Sequence, residues 1–230
     1  MAKILSIETS TSICSVAVHE DGELISLSEI SEAGAHAERL MSLIEEALNS
    51  ASITYSDLDA IAVSEGPGSY TGLRIGVSTA KGLAFGLSKP LIGVNTLLAL
   101  ASSVSAEEGE LIIPVLDARR MEVYREVFDW KWNSVDELQS EVLDEDSFEN
   151  FLEKCRVYFL GDALEKVKSI VNHNNALFLN DVSFSAKHMG KVSLEKYRRM
   201  EFADLAYFVP NYLKEFKALH SKKNPLLVNE

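Results

Sequence analysis

Apolar and polar positions follow two rhythms along this chain, and the switches between them mark its elements. Ile4 to Glu8 is a short apolar run ending in the hydroxyl cluster Thr9-Ser10-Thr11-Ser12, and Cys14 to His19 repeats the strand pattern. Asp21-Gly22 supplies a hairpin turn into Glu23 to Leu27. From Ala35 to Ser50 the apolar residues Leu40, Leu43, Ile44, Ala47 and Leu48 recur at the spacing of one helix face. Asp59 to Ser64 reads as a buried parallel strand. Glu65-Gly66-Pro67-Gly68-Ser69-Tyr70 then breaks the pattern, Thr71 to Leu87 predicts a helix, and Pro90 follows its end. Leu91 to Val94 is a strand and Thr96 to Val104 a helix. Ala106-Glu107-Glu108-Gly109 reads as a linker between lobes.

A second α/β pass follows. It comprises strands Leu111 to Leu116 and Glu122 to Trp130, an acidic segment Asp136 to Glu149, strand Val157 to Leu160, and a helix over Ala163 to Asn172. A helix around Leu194 to Phe208 and the segment Pro210-Asn211-Tyr212-Leu213-Lys214 come last. Strand, hairpin, helix and parallel strand is how an α/β domain begins. No exact internal repeat is present, but two topologically similar halves fit the pattern.

Composition narrows the class. At 230 residues the chain has room for one large domain or two half-size lobes, and 47% hydrophobic with 25% charged residues excludes disorder. Its two cysteines, Cys14 and Cys155, lack CxxC spacing, which points to a reducing compartment. The N-terminus turns acidic at Glu8 before a signal-type core forms, and no apolar run approaches the ~18 residues of a spanning helix. A cytoplasmic protein with no membrane partner is expected. The net charge of −13 opposes phosphate neutralisation. Arg119-Arg120 and Lys196 to Arg199 read as solvated faces, so RNA would be held by another subunit.

Gly66-Pro67-Gly68-Ser69-Tyr70-Thr71-Gly72 lets backbone N–H groups converge ahead of a helix, a geometry that suits an anion. It is neither a Walker loop nor a GxGxxG fingerprint, because Gly72 follows Gly68 at the wrong distance. A tight turn capped by Ser69 or Thr71 is the simpler account. Thr9, Ser10 and Thr11 with Gly66, Gly68 and Ser69 are the candidates for any nucleotide or anion contact. In the helix that follows, Gly72, Gly76, Thr79, Leu83 and Gly86 form one stripe, and Leu73, Val77, Ala80, Ala84 and Leu87 form a second apolar face. Each interior glycine weakens a helix by ~1 kcal/mol relative to alanine. A helix apolar on two sides needs cover on two sides, which favours one shared with another subunit. The five histidines never fall at i, i+4, and no GxSxG elbow occurs, so neither a metal nor a catalytic residue is expected. Asp117 is expected to pair locally with Arg119 or Arg120.

Five segments, in order, carry a family resemblance: Ile4 to Ser10, His36-Ala37-Glu38-Arg39-Leu40, Gly66 to Gly76, Asp117 to Tyr124, and Pro210-Asn211-Tyr212-Leu213. The chain resembles the TsaB (YeaZ) family of tRNA threonylcarbamoyladenosine biosynthesis proteins. That resemblance implies an actin-like, Hsp70-like (ASKHA) α/β fold of two lobes, each a mixed sheet with flanking helices. The lobes are placed at 1–105 and 106–230, with a C-terminal helix near 202–217 packing back on the first. It implies a non-catalytic scaffold subunit of the complex that transfers threonylcarbamoyl to N6 of adenosine 37 in tRNAs reading ANN codons. The implied partners are a TsaD-like catalytic subunit and a TsaE-like ATPase, with tRNA met only through the complex and a homodimer formed alone. No tightly bound cofactor is implied, ATP or ADP entering only at a subunit junction. TsaD carries a His-x-x-x-His metal pair after a Gly-Val-Asn strand end. Here Gly93-Val94-Asn95 is followed by Thr96, with Leu100 four residues on, and neither side chain is a metal ligand of that kind. The expected partner interface lies on the two first-lobe helices, through His36, Leu40, Met41, Leu48, Gly72, Gly76, Thr79, Leu83 and Gly86. The alternative is an autonomous ATP-dependent enzyme of actin-like fold, a small-molecule kinase or ATPase, for which Glu8 at the first strand's end would supply a carboxylate.

Overall fold

The computed structural model describes residues 1–32 and 34–213. Its first sheet is built from β1 (Lys3–Glu8), β2 (Ile13–Glu20), β3 (Glu23–Ser31), β4 (Ala60–Gly66) and β5 (Leu91–Asn95), with helices α1 (His36–Ser50) and α2 (Tyr70–Leu87) between β3 and β4 and between β4 and β5. The short helix α3 (Thr96–Ala101) leads to the second sheet. That sheet contains β6 (Leu111–Asp117), β7 (Glu122–Asp129), β8 (Ser134–Val142), β9 (Val157–Leu160) and β10 (Ala176–Leu179), with α4 (Glu149–Leu152) and α5 (Leu164–Lys168) as its crossovers. The first sheet runs β3-β2-β1-β4-β5 and the second β8-β7-β6-β9-β10. In each, the hairpin arm is antiparallel and the next two strands are parallel to the first. One strand order is therefore used twice, although the two halves share no exact sequence repeat.

Strand β1 shows why its apolar run is nearly continuous. Leu5 and Ile7 join the core under α1 and α2, with Leu40, Leu43, Ile44, Ile61, Val63 and Val77. Ile4, on the opposite face, packs with Ala17, Ala60, Ala62 and Ile92 against Ala186, Met189 and Val192. Both faces are covered, so polar alternation is absent. The edge strand β8 is the contrary case. It alternates exposed and half-buried positions, and its Asp136 and Glu141 pair with Arg125 of β7. Its acidity hides the strand period from a sequence reading.

The end of the chain corrects an expectation. Helix α6 spans Gly190–Arg198, not Leu194 to Phe208, and no helix occupies the described residues 202–213, where one near 202–217 was expected. Residues 214–217 lie outside the described residues. Met200 is left-handed with φ 55°, which ends the helical run. Ala203 then donates its N–H to Leu91 O at 2.8 Å, Lys81 Nζ donates to Phe208 O at 3.0 Å, and Asn211 N–H donates to Glu65 O at 2.6 Å. These partners, rather than a helix, satisfy the backbone, and the bridge to Leu91 covers part of the β5 edge. What packs back on the first sheet is thus the stretch from Ser185 onward. Ser185 Oγ donates to Glu29 Oε2 at 2.7 Å, and Ala186 N–H donates to Ser15 Oγ at 3.1 Å. Among the described residues, no helix is long and apolar enough to cross a membrane.

Two histidines sit in this seam and give it a pH dependence. His19 Nδ1 lies 3.1 Å from Ser6 Oγ and its Nε2 3.2 Å from Lys187 O, and burial holds its pKa below 6.5. Burial, aided by the neighbouring Lys187 charge, pushes His188 down to about 4. The unfolded chain takes up these protons near 6.5 and the folded chain only at lower pH. Stability is therefore full above 6.5 and is lost as pH falls below it, for His188 by roughly 3 kcal/mol once pH reaches 4. Glu8 and Asp162, whose pKa values burial raises, run the opposite way. The His188 share is isolated by comparing urea unfolding of the wild type and His188→Gln between pH 7 and 4.5. The variant should lose distinctly less stability over that interval, and equal losses would exclude the assignment.

Candidate functional site

The C-terminal ends of β1, β4, β6 and β9 face one another across the two lobes and enclose a cleft of about 1080 Å³. Carboxyl ends of parallel strands are where α/β folds place ligands. The first-lobe wall is Ser10, Thr11 and Ser12 after β1, and Pro67 to Gly72 after β4, where α2 begins with Ser69 as its N-cap. Ser69 Oγ accepts the N–H of Gly72 at 3.3 Å, and Ser69 N–H donates to Ser10 O at 2.6 Å, tying the two loops together. Gly66 has φ +114°, and a Cβ there would stand 2.6 Å from Asn211 O, so this turn admits only glycine. Beneath the wall, Glu8 accepts the N–H of Ser10 at 2.6 Å. Burial pushes its carboxyl above the usual range, against the pull of hydrogen bonds from Ser10 and Ser64.

The opposite wall comes from the second lobe: Leu116, Asp117, Ala118, Arg119, Tyr124 and Asp162. Asp117 does not find its cationic partner within its own loop. Lys166 Nζ of α5 lies 2.8 Å from Asp117 Oδ1, while the backbone N–H of Arg119 donates to the same oxygen at 2.5 Å. Desolvation raises the Asp117 pKa, but those contacts outweigh it and hold the carboxyl below the usual range. Asp162 accepts the Asp117 N–H at 2.8 Å, and its burial drives it upward. Arg119 and Arg120 are both left-handed, at φ 72° and 51°, in a β6–β7 connection where Asn-Gly would be the easy choice. The tail completes the cleft with Asn211, Tyr212 and Leu213. Tyr212 stacks on Tyr70 with ring centroids 4.7 Å apart. Sequence reading missed Asp162, Tyr124 and Tyr212 as cleft residues, and only the Gly161-Asp162 turn offered a local signal.

Of the residues expected to touch an anion, Ser10, Thr11, Gly68 and Ser69 line the cleft, whereas Thr9 and Gly66 are buried beside it. The expected interface residues divide. Leu40 and Leu48 are core residues under α1, and His36 is buried and lines the cleft. Gly72 and Gly76 face inward: Cβ atoms there would lie 2.1 Å from Thr9 O and 2.2 Å from Thr9 Oγ1. Their stripe gives close approach to the chain's own β1 loop, not to a partner helix. A helical wheel cannot tell an internal neighbour from an external one.

Met41, Thr79, Leu83 and Gly86 stay at or near the surface. Between α1 and α2 runs a shallow groove of about 450 Å³, lined by Ala37, Tyr70, Thr71, Arg74, Ile75, Ser78 and Thr79. Met41 is 45% exposed and Phe85 79% exposed on these two helices. Gly82 and Gly86 have nothing within 4 Å of where a Cβ would stand.

Helix α3 occupies the joint between the lobes. Asn95 accepts the N–H groups of Leu97 and Leu98 as its cap and donates Nδ2–H to Glu126 Oε2 of the second lobe at 2.8 Å. Thr96 is fully buried, and Leu100 packs with Ile112, Leu116, Phe128 and Leu160 in an apolar cluster spanning both lobes. Among the described residues, no three His, Cys, Asp or Glu side chains gather as a metal site.

This geometry can be set beside known proteins. A family model described as TsaD, tRNA N6-adenosine threonylcarbamoyltransferase, matches residues 29–223. The tRNA threonylcarbamoyladenosine biosynthesis protein TsaB of Bacillus subtilis is 32% identical across 96% of this chain and 99% of its own length. The chain belongs to the TsaB family. The TsaB protein of Escherichia coli is 37% identical over 123 residues, 53% of either chain, so the chain spans about half the length of that curated relative. The solved YeaZ of Pseudomonas aeruginosa superposes with a TM-score of 0.78 and 27% identity, covering 93% of this chain and all of that one. Like YeaZ, this TsaB-family chain has a two-lobed α/β fold, with one mixed sheet and flanking helices per lobe.

Proposed function

We propose that this chain is a non-catalytic partner subunit in the transfer of threonylcarbamoyl to N6 of tRNA adenosine 37, docking on a TsaD-like catalytic subunit through the exposed side of α1 and α2. The observation that carries this reading is α3. Where the catalytic relatives resembled here hold a pair of imidazoles, Thr96 is buried and Leu100 belongs to the apolar joint between the lobes. An apolar side chain there glues lobes together and offers a metal nothing. The docking face is supported by Met41, Phe85 and the open Gly82 and Gly86 beside the α1–α2 groove. A soluble chain exposing these gains by covering them. A TsaE-like ATPase joins the assembly, the face pairs two copies of this chain when the partner is absent, and the location is the cytoplasm. ATP or ADP enters only at a subunit junction.

The experiment is reconstitution. The purified chain, given tRNA and the activated threonylcarbamoyl adenylate, should yield no modified adenosine, and product should appear when the TsaD-like and TsaE-like subunits are added. Filter binding at physiological salt should show weak tRNA affinity for the chain alone, as its net charge of −13 demands. Turnover by the isolated chain would overturn the proposal. The reading as a separate ATP-dependent enzyme is less favoured, because Glu8 is buried and engaged with the Ser10 amide rather than facing the cleft. Calorimetric titration with Mg-ATP tests it directly.

A further inference from the structure

The groove between α1 and α2 meets the interlobe cleft, since Tyr70, Thr71 and Ile75 line both. The described residues stop at that junction. Tyr212 stacks on Tyr70 at 4.7 Å, and Leu213, 36% exposed, lines the adjoining cleft. Arg74, on the groove wall, donates from Nη1 to the Tyr70 hydroxyl at 3.1 Å. On α1, Ala37, Met41 and Glu45 succeed one another at i, i+4. The row that begins in the groove therefore runs through a half-exposed thioether to an exposed carboxylate, with exposed Glu38 beside it. On α2, Arg74 and Ser78 are followed in the same row by the open Gly82 and Gly86. The face is a shallow trough with an acidic rim on α1. Residues 214–230 have the opposite sign. They hold four of the chain's 22 Lys and Arg and two of its 35 Asp and Glu, a net +2 beside −15 for residues 1–213. Phe216 and Leu219 stand there among Lys214 and Lys217, apolar groups for the trough and cations for its rim.

We propose that residues 214–230 cover the α1–α2 groove of their own chain, with Phe216 and Leu219 on Met41 and Ile75 and the lysines toward Glu38 and Glu45, and that a docking partner displaces them. The reach is sufficient. Phe216 follows Tyr212 by four residues, a span of up to ~13 Å, whereas packed helices stand only ~8–10 Å apart. Residues 214–230 as a whole span up to ~56 Å when extended, against a length of ~27 Å for the 18-residue α2. A segment tethered at the groove's end acts at a local concentration on the order of 1 mM. Even a contact with a Kd of about 100 μM then covers the groove about 90% of the time. A second copy of the chain, or a catalytic subunit, has to compete with that cover. The cover follows from the groove, the exit point and the charge, and only its displacement rests on the docking reading above.

Methionine-methyl NMR on the full chain reads the cover without any partner. Met41 lies on the face and Met189 in the core, and Met41→Leu assigns the first signal. Phe216→Asp combined with Leu219→Asp should shift Met41 and leave Met189 in place. A synthetic peptide of residues 214–230, titrated into that variant, should return Met41 to its wild-type position with a Kd of about 100 μM. Lys214→Glu combined with Lys217→Glu should shift Met41 in the same direction, and this pair decides the matter should the first impair folding in a circular dichroism melt. The TsaD-like subunit should bind either double variant about tenfold more tightly, the competition from the cover being gone. A Met41 signal identical in wild type and folded variants would overturn the cover. A wild-type Met41 signal that moves on dilution would assign the cover to a second copy and overturn its assignment within one chain. A shifted Met41 with unchanged partner affinity would uphold the cover and overturn both the displacement and the docking face, so the two readings fail separately.

Discussion

Gly72→Ala should unfold or severely weaken the first lobe, although alanine is the better helix former and the position lies in the first turn of α2. The added Cβ would stand 2.1 Å from the carbonyl oxygen of Thr9, a backbone atom that cannot rotate away. Relief requires α2 to lift from the β1 loop, or that loop to leave the hydrogen bonds from Ser10 N–H to Glu8 and from Ser69 N–H to Ser10 O. Overpacking of this kind costs about 3 kcal/mol, which for a chain of this size lowers the melting temperature by about 10 °C. Gly76→Leu should behave alike, since its Cβ would meet Thr9 Oγ1 at 2.2 Å. Differential scanning calorimetry is the measurement. A melting temperature unchanged in Gly72→Ala would mean that α2 does not rest on Thr9 as described.

The second large effect concerns association, and it uses positions where the isolated chain has room. Gly86→Arg places a long cation where nothing stands within 4 Å, and Met41→Glu replaces a half-exposed thioether by a charge. Both should leave the calorimetric melt close to the wild type. If α1 and α2 form the docking face, each should weaken binding of the TsaD-like subunit by about 100-fold, the penalty for a buried charge or clash at the centre of an interface. Light scattering should show the same loss for self-association. As a control, Val135→Glu on the exposed edge strand β8 should leave association intact. Normal partner affinity in both Gly86→Arg and Met41→Glu would place the interface elsewhere. Because Gly72 and Gly76 are internal, variants at those two positions cannot make this test.

Much was legible before any coordinates. The helix periodicity of α1 follows from residue type and spacing alone, and so does a hydroxyl cap for α2 at Ser69 or Thr71, of which the structure uses Ser69. The hairpin at Asp21-Gly22 does too. Local signals of this sort act over a few residues, and the chain obeys them. Strand β10 was not legible, because its four residues are all half-buried at a sheet edge and give no strong alternation. The tail was misread as helical because its apolar spacing suits a helix, whereas its backbone partners are Leu91, Lys81 and Glu65, distant in sequence.

By itself the sequence determined the α/β succession, the absence of histidine and cysteine spacings for a metal, and the segments that tie the chain to the TsaB family. Those properties rest on covalent order and short-range periodicity. Only the tertiary structure decided that one strand order is used twice, that His36 is buried at the cleft wall, and that the glycines of α2 serve two purposes. Gly72 and Gly76 admit the Thr9 backbone, while Gly82 and Gly86 lie open. Spacing on a helix states which residues share a side. What stands opposite that side depends on where β1 and its loop are carried by the sheet, a fact recorded in no single segment.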